Sequence, residues 1–171
     1  MALLNAIRDR FSVRTYRDCP VEPAKLDAVL EAARLAPSAR NVQEWRFVVA
    51  QDAAVRRALA AAASNQAFVG TAPVVIAAGS VLTDYVMRGG QLAYPIDLAI
   101  ALEHMALQAV EEGLGTCWIG SFQEGSVRQI LGIPAAVRIV GLMTLGYPGE
   151  PPRDKNRLPL DRIACRERWA F

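Results

Sequence analysis

A polar loop between two apolar segments is the part of the sequence best suited to bind a small molecule. Residues 36–49 read Ala-Pro-Ser-Ala-Arg-Asn-Val-Gln-Glu-Trp-Arg-Phe-Val-Val. Pro37 disfavours continuation of a preceding helix, and Ser38, Asn41 and Gln43 then offer hydroxyl and amide groups on a loop held at both ends. These groups suit the edge of a polar heterocycle. The alternative is that Ser38 and Asn41 only satisfy the backbone of a turn.

Basic residues are concentrated at the two ends of the chain. The net charge is only +2, yet residues 8–17 and 153–168, Arg153 included, hold ten basic and four acidic residues, which gives +6 there and −4 in the rest. Arg10, Ser12 and Arg14 lie near the start, and Lys155 and Arg157 near the end. Because arginine binds planar anions through paired hydrogen bonds, converging ends would suit a phosphate. Surface ion pairing, or solvated ends that never meet, is the alternative.

Several classes of protein and site do not fit this sequence. The basic residues lack the interleaved aromatic residues of a base-stacking surface, so we expect no nucleic-acid partner. No window reaches the ~18 uninterrupted apolar residues of a membrane span, and charged residues 8–10 interrupt any signal-peptide pattern. The chain has three cysteines, an odd number, and they show no C-x-x-C spacing: Cys19, Cys117 and Cys165. His104 is the only histidine. We therefore expect no metal site, no disulfide framework, no membrane association and a cytoplasmic location.

Apolar periodicity predicts a single α+β domain over residues 1–171. A chain of this length, 53% hydrophobic, can bury about two-thirds of the surface that it exposes when unfolded. The predicted helices cover residues 2–9, 22–35, 53–63, 96–112 and 121–131, and the predicted strands cover 46–50, 73–78, 115–120 and 137–145. The apolar run 46–50 suggests burial on both faces. Asp52 is expected to cap the third helix, and Ser121 with Glu124 to form a capping box for the last.

The predicted helix 96–112 has no polar face to give to solvent. Its apolar residues do not fit one narrow stripe: Leu98, Ile100, Leu102, Met105, Leu107 and Val110. A helix that is apolar on all sides must be buried on all sides, which in one modest domain points to a partner helix across a two-fold axis. We therefore predict a homodimer. His104 lies in this helix and is expected to be a core or interface residue, not a catalyst.

Four separated motifs resemble the signature segments of one known family. Residues 36–47 match A-P-S-x-x-N-x-Q-P-W-x-F except at Glu44, where the family commonly has proline. Residues 10–14 resemble R-R-S-x-R with Phe11 in place of the second arginine. Residues 115–120 read G-T-C-W-I-G and residues 145–148 read L-G-Y-P, and Lys155 with Arg157 resembles a K-x-R pair. Together and in this order, these motifs make the chain resemble the nitroreductase family of FMN-dependent oxidoreductases.

The resemblance implies a three-layer α-β-α sandwich with a mainly antiparallel central sheet. It also implies a homodimer with FMN at the interface, in which the C-terminal segment 152–171 is swapped and wraps the partner subunit. Arg10, Lys155 and Arg157 would then grip the FMN phosphate, and Arg14 would stabilise negative charge on the reduced flavin. The full set of cofactor-binding residues implied is Arg10, Ser12, Arg14, Pro37, Ser38, Asn41, Gln66, Trp118, Ile119, Gly120, Lys155 and Arg157.

Within that set, three segments are expected to meet the flavin ring. The loop with Pro37, Ser38 and Asn41 would touch the flavin of the partner subunit. Gln66 would reach the pyrimidine edge, with Asn65 as its rival. The backbone of residues 118–120 would approach the flat ring, since its flanking glycines permit close contact. For the side chains of Cys117 and Trp118 themselves, core packing is the better interpretation.

The implied reaction is the oxidation of NAD(P)H. Hydride would pass to flavin N5 and then to a nitroaromatic, a quinone or a related small acceptor, in a ping-pong sequence. Since FMN carries the redox chemistry, no catalytic acid, base or nucleophile is required of the protein. Residues 79–94, expected to be a loop or a short helix, are too few to build over the pocket, which predicts an open site and a broad acceptor range. The alternatives are a flavin carrier or regulatory protein without turnover, and a specialised oxidase, dehalogenase or flavin-degrading enzyme.

Overall fold

The computed structural model describes residues 3–152 and 154–171. Arg153, counted above among the basic residues, and the start of the predicted helix 2–9 lie outside the described residues. The elements in chain order are α1 (Asn5–Asp9), α2 (Pro23–Arg34), β1 (Trp45–Ala50), α3 (Ala53–Ala62), α4 (Ala67–Thr71), β2 (Val74–Ser80), α5 (Ala93–Glu111), β3 (Gly115–Ile119), α6 (Glu124–Leu131) and β4 (Arg138–Gly146). Short 3₁₀ turns occur at Ala39–Asn41 and Leu160–Arg162.

The strands form one antiparallel sheet in the order β1-β2-β4-β3. Every residue of the central strand β2 is buried, as its continuous apolar run requires. β1 lies at an edge, where Arg46 is exposed and residues 47–49 are only partly buried. The predicted burial of β1 on both faces is confirmed in part: Phe47 and Val49 pack against one core and Val48 against the other, and all three are only partly buried.

Helices cover both faces of the sheet and enclose two separate cores. On one face, Val29 of α2 and Met105 of α5 pack in the same cluster as Ile76 of β2. On the other face, Leu59 of α3 packs with Ala77 of the same strand, and α6 completes this second cluster. Consecutive residues of β2 thus point into opposite cores, as strand geometry requires. The predicted three-layer α-β-α sandwich is confirmed.

The predicted helix boundaries agree with the structure where the sequence carries clear end signals. Pro23 occupies the start of α2, where a helix needs no backbone N–H. Asp52 caps α3 as predicted, because its Oδ1 accepts the Ala54 and Val55 amides at 2.8 and 2.9 Å. α1 begins at Asn5 and is shorter than the predicted helix 2–9.

Four local features differ from the predictions. α5 begins at Ala93 and not at residue 96, because Pro95 is tolerated in a first helical turn. The capping box is absent: Gln123 precedes α6 without a side-chain cap, while Ser121 Oγ lies 2.9 Å from Ser64 Oγ. The short helix α4 was not predicted, and β2 extends to Ser80, so the connection between β2 and α5 is shorter than residues 79–94 suggested.

Two further observations concern the whole described chain. Among residues 3–152 and 154–171, no helix combines the length and the hydropathy that crossing a membrane would require. In the same residues, no cluster of three or more His, Cys, Asp or Glu side chains could hold a metal ion. Cys19, Cys117 and Cys165 are free thiols.

Candidate cofactor site

A basic cavity of about 230 Å³ lies where the two ends of the chain meet. Four basic side chains and one acidic side chain are among its lining residues, which are Arg10, Phe11, Ser12, Arg14, Asp154, Lys155 and Arg157. The predicted phosphate-binding residues Arg10, Lys155 and Arg157 are thus neighbours in space. The alternative that the basic ends never meet is wrong.

Lys155 ties the C-terminal segment to the first helix. Its Nζ donates to the Ile7 carbonyl at 3.0 Å and also to the Arg8 carbonyl, at the C-terminal end of α1. Arg157 Nη1 donates to the Lys155 carbonyl, which folds its guanidinium back beside the lysine. These bonds hold both residues next to the segment that carries Arg10.

Ser12 and Val13 are held against β3 by close backbone packing. Ser12 forms a parallel bridge with Thr116, and the Val13 amide donates to the Thr116 carbonyl at 2.9 Å. A Cβ on Gly115 would lie 2.3 Å from Val13 Cγ2, so this approach requires glycine.

Burial raises the pKa of the Cys117 thiol, although Arg14 and a hydrogen bond with Ser12 oppose the shift. Cys117 is therefore a protonated core thiol, as predicted.

Arg14 is positioned by two groups that the sequence analysis did not identify. Glu150 Oε1 accepts the backbone amides of Arg14 and Thr15 at 2.7 and 3.1 Å. The guanidinium carbon of Arg14 lies 5.9 Å from the centroid of the Phe68 ring, a cation–π contact. Glu150 is 136 residues from Arg14, so no local pattern signals this contact.

The end of β3 leaves open space beside exposed groups. Ile119 is buried in the core, so only its backbone can meet a ligand. Trp118 is 39% exposed, and the predicted core packing of its side chain is wrong, since β3 is an edge strand. Among residues 3–152 and 154–171, no atom outside Gly120 and its two chain neighbours lies within 4 Å of the position that a Cβ on Gly120 would take. A flat ring could approach the backbone here without a steric clash.

Gln66 and Asn65 differ in what they can offer a ligand. Gln66 precedes α4, and its Nε2 donates to the Ala63 carbonyl at 2.9 Å and to the Ser121 carbonyl at 3.4 Å. Its amide nitrogen is thus bound within the protein, and its carbonyl oxygen is the group left for a ligand. Asn65 is exposed and has a left-handed backbone with φ of 57°.

The loop with Pro37, Ser38 and Asn41 does not line the basic cavity of its own chain. Ser38 Oγ accepts the Gln43 amide at 3.0 Å. This contact agrees with the interpretation that the Ser38 side chain satisfies the backbone of a turn. Pro37 and Asn41 are exposed. The structure therefore brings Arg10, Ser12, Arg14, Lys155 and Arg157 together and leaves the loop elsewhere.

The charges in the cavity repel one another. The pKa of Lys155 is lowered, first by burial and then by the positive charges of Arg10 and Arg157. Arg10 Nε lies 3.3 Å from Glu103 Oε1 of α5, an ion pair that the sequence did not reveal. A phosphate dianion would relieve the repulsion and accept charge-assisted hydrogen bonds, so the residues present fit a phosphate-bearing cofactor.

Comparison with known proteins gives a consistent result. A model described as the nitroreductase family matches residues 7–69 and 61–147. The chain is 36% identical over 185 residues to an NADH dehydrogenase of Thermus thermophilus, with 90% of each chain covered. It is 27% identical over 184 residues to an FMN reductase (NAD(P)H) of Bacillus subtilis, covering 98% of this chain and 74% of that one. An FMN-dependent nitroreductase of Clostridium difficile superimposes with a TM-score of 0.83 at 26% identity, over 96% of this chain and 99% of that one. By sequence and by fold, the chain belongs to the nitroreductase family.

Proposed function

We propose that this chain is an FMN-dependent NAD(P)H oxidoreductase that reduces small acceptors, such as nitroaromatics and quinones, by a ping-pong mechanism. The observation that carries the proposal is the convergence of Arg10, Lys155 and Arg157 on one cavity. Membership of the nitroreductase family and similarity to an FMN reductase (NAD(P)H) support the flavin and its donor. The open surface beyond β3 supports access for small acceptors of several shapes.

Each predicted residue has a task in this proposal. Arg10, Lys155 and Arg157 hold the phosphate, and Ser12 and Arg14 carry the contacts on towards the ring. FMN, when bound, supplies the redox chemistry by taking hydride from NAD(P)H and passing electrons to the acceptor. The backbone of residues 118–120 supports the flat face of the ring, and the carbonyl of Gln66, or the amide of Asn65, meets the pyrimidine edge.

A second copy of the chain would complete the site. The loop with Pro37, Ser38 and Asn41 lies outside its own cavity and would serve the partner subunit's flavin. The segment 152–171 exposes large apolar side chains, among them Ile163 at 60%, Trp169 at 85% and Phe171 at 58% exposure. Apolar surface of this extent calls for a covering partner, so we assign this segment to the dimer contact.

The proposal is tested by anaerobic titration of the FMN-bound protein with NADH and NADPH, followed by steady-state assays with menadione. In the titration we expect one equivalent of the donor to bleach the flavin absorbance. In the steady-state assays we expect parallel double-reciprocal lines when the donor and acceptor concentrations are varied. A flavin that binds but does not turn over would instead identify a carrier. Intersecting lines would exclude the ping-pong sequence while leaving the oxidoreductase assignment intact.

Replacing Arg14 with glutamine is expected to lower the midpoint potential of the bound flavin. Reduction adds negative charge to the ring, and the guanidinium of Arg14 would stabilise that charge; Glu150 binds the Arg14 backbone amide, and the Phe68 ring lies against the guanidinium. Loss of about 1.4 kcal/mol of this stabilisation corresponds to a decrease of about 30 mV for a two-electron couple. Spectroelectrochemical titration measures the shift directly.

The matched variant Arg14→Lys keeps the charge and should keep most of the potential. An equal potential in the wild-type protein and in Arg14→Gln, both saturated with FMN, would remove Arg14 from this role.

A further inference from the structure

Two carboxyl groups are buried side by side beneath the loop of residues 38–43. Glu44 follows this loop and is 4% exposed, and Asp97 in the first turns of α5 is also 4% exposed. The Glu44 Oε2 atom is buried without a hydrogen-bond donor from residues 3–152 or 154–171. The space beside the two groups, walled by Val42, Leu82 and Tyr85, is too small for a water molecule. Two ionised carboxylates in such a place would be desolvated and would repel each other.

The loop above this pair has a strained backbone. Arg40, Asn41 and Gln43 have φ values of 57°, 57° and 54°, in the left-handed region that non-glycine residues seldom adopt. Such a conformation persists only when its surroundings fix it. The loop therefore depends on the contacts at its two ends.

The carboxyl pair connects those two ends. Asp97 Oδ2 accepts the amide of Ala39, at the start of the loop, at 3.0 Å. Glu44 closes the loop at the other end, where its carbonyl accepts the Val81 amide at 3.1 Å. The Glu44 and Asp97 carboxyl groups line the same small space, so a hydrogen bond between them would join the start of the loop to its end. Because a carboxylate cannot donate, this bond exists only when one of the two groups carries a proton.

We propose that Glu44 and Asp97 share one proton, and that this proton holds the 38–43 loop in the conformation with which it meets the flavin of the partner subunit. Glu44 and Asp97 are thus positioning residues, and they act through the loop. The second part, contact with the flavin, rests on the proposed function. Loss of the proton as the pH rises releases the loop and weakens retention of FMN.

The direction of the titration agrees with this geometry. Burial, and then the negative charge of Asp97, raise the pKa of Glu44 above its ordinary value of 4.5. The other titratable groups that face the pair are Tyr85, from the segment before α5, and Tyr94 of α5. Arg40 lies beside Tyr85, with its guanidinium carbon 5.2 Å from the centroid of the Tyr85 ring. In the folded state Glu44 keeps its proton to higher pH than in the unfolded chain. The stability that the Glu44 carboxyl contributes is therefore fully present below pH 4.5, and it is lost as the pH rises through the raised pKa.

The test is a ¹³C and ¹⁵N NMR titration of the full-length protein, with side-chain carboxyl carbons labelled. We expect the Glu44 carboxyl to titrate above the ordinary glutamate range, and the Ala39 amide to shift with the same midpoint. Glu44→Gln keeps a donor to Asp97 and should make the Ala39 shift independent of pH. Asp97→Asn supplies an amide donor and removes the neighbouring negative charge, so the pKa of Glu44 should fall towards its ordinary value of 4.5.

Flavin release provides the second measurement. Across the same midpoint, the FMN dissociation rate of the wild-type protein should rise about tenfold, the scale of one hydrogen bond lost from the loop, and should stay constant in Glu44→Gln. Two results would overturn the shared-proton proposal even if FMN binds normally. One is a Glu44 carboxyl that titrates at its ordinary value, and the other is an Ala39 amide whose chemical shift does not change as Glu44 titrates. A coupled titration without any FMN binding would instead refute the proposed function, and with it the flavin contact of the loop.

Discussion

Replacement of Arg157 with alanine is expected to raise the dissociation constant of FMN by about 30-fold or more. The reason is the loss of a charge-assisted hydrogen bond to the phosphate, at a cost of about 2 kcal/mol. Arg10→Ala should have an effect of the same size, because both side chains line the same cavity with Lys155. Quenching of flavin fluorescence during titration with apoprotein measures both values.

Two further variants make this result specific. Arg57→Ala removes an exposed arginine of α3 that does not line the cavity, and it should leave FMN affinity unchanged. Glu103→Gln removes the carboxylate that pairs with Arg10 and should tighten FMN binding, since the Arg10 guanidinium is freed from that competing carboxylate. If Arg10→Ala and Arg157→Ala both bind FMN like the wild-type protein, the phosphate site lies elsewhere.

A charge at Leu107 is expected to separate the proposed dimer and to release FMN with it. Leu107 lines an apolar groove of about 530 Å³ between α1, α2 and α5, with Leu4, Ala32 and His104. His104 Nδ1 lies 3.3 Å from the Ala32 carbonyl in this groove, a contact within one protomer. If the site is built from both chains, FMN stabilises the dimer by linkage, and Leu107→Glu should yield a smaller, flavin-free species in sedimentation velocity.

The choice of position matters on this helix. Leu102 and Met105 are fully buried within the protomer, so the apolar character of α5 on those sides reflects its own core. A charge at Leu102 would unfold the chain without testing the interface. Ala61→Glu, on an exposed position of α3, is the matched control and should remain flavin-loaded and unchanged in size. A flavin-loaded monomer of Leu107→Glu at micromolar concentration would refute the shared site.

Sequence patterns predicted the fold well because its determinants are local. The continuous apolar run of β2 and the helical spacing of α2 are visible within a few residues, and Asp52 signals its own cap. The contacts that shape the site are not local. Glu150 reaches Arg14 across 136 residues, and Asp97 reaches Ala39 across 58. Glu44 was recognised only as a departure from a family pattern, since nothing in its neighbours indicates burial against a second carboxyl group.

The bond from Lys155 to Ile7 joins residues 148 positions apart, and this separation bears on folding kinetics. Closing so long a loop costs more conformational entropy than forming the hairpins and helices between its ends. The basic cavity should thus assemble after the sheet and its helices, and FMN should bind to a chain that is already largely native. A ligand that binds only after the folding transition state slows unfolding and does little to accelerate folding. Refolding rates should accordingly be the same with and without FMN, while the holoprotein should outlast the apoprotein in denaturant.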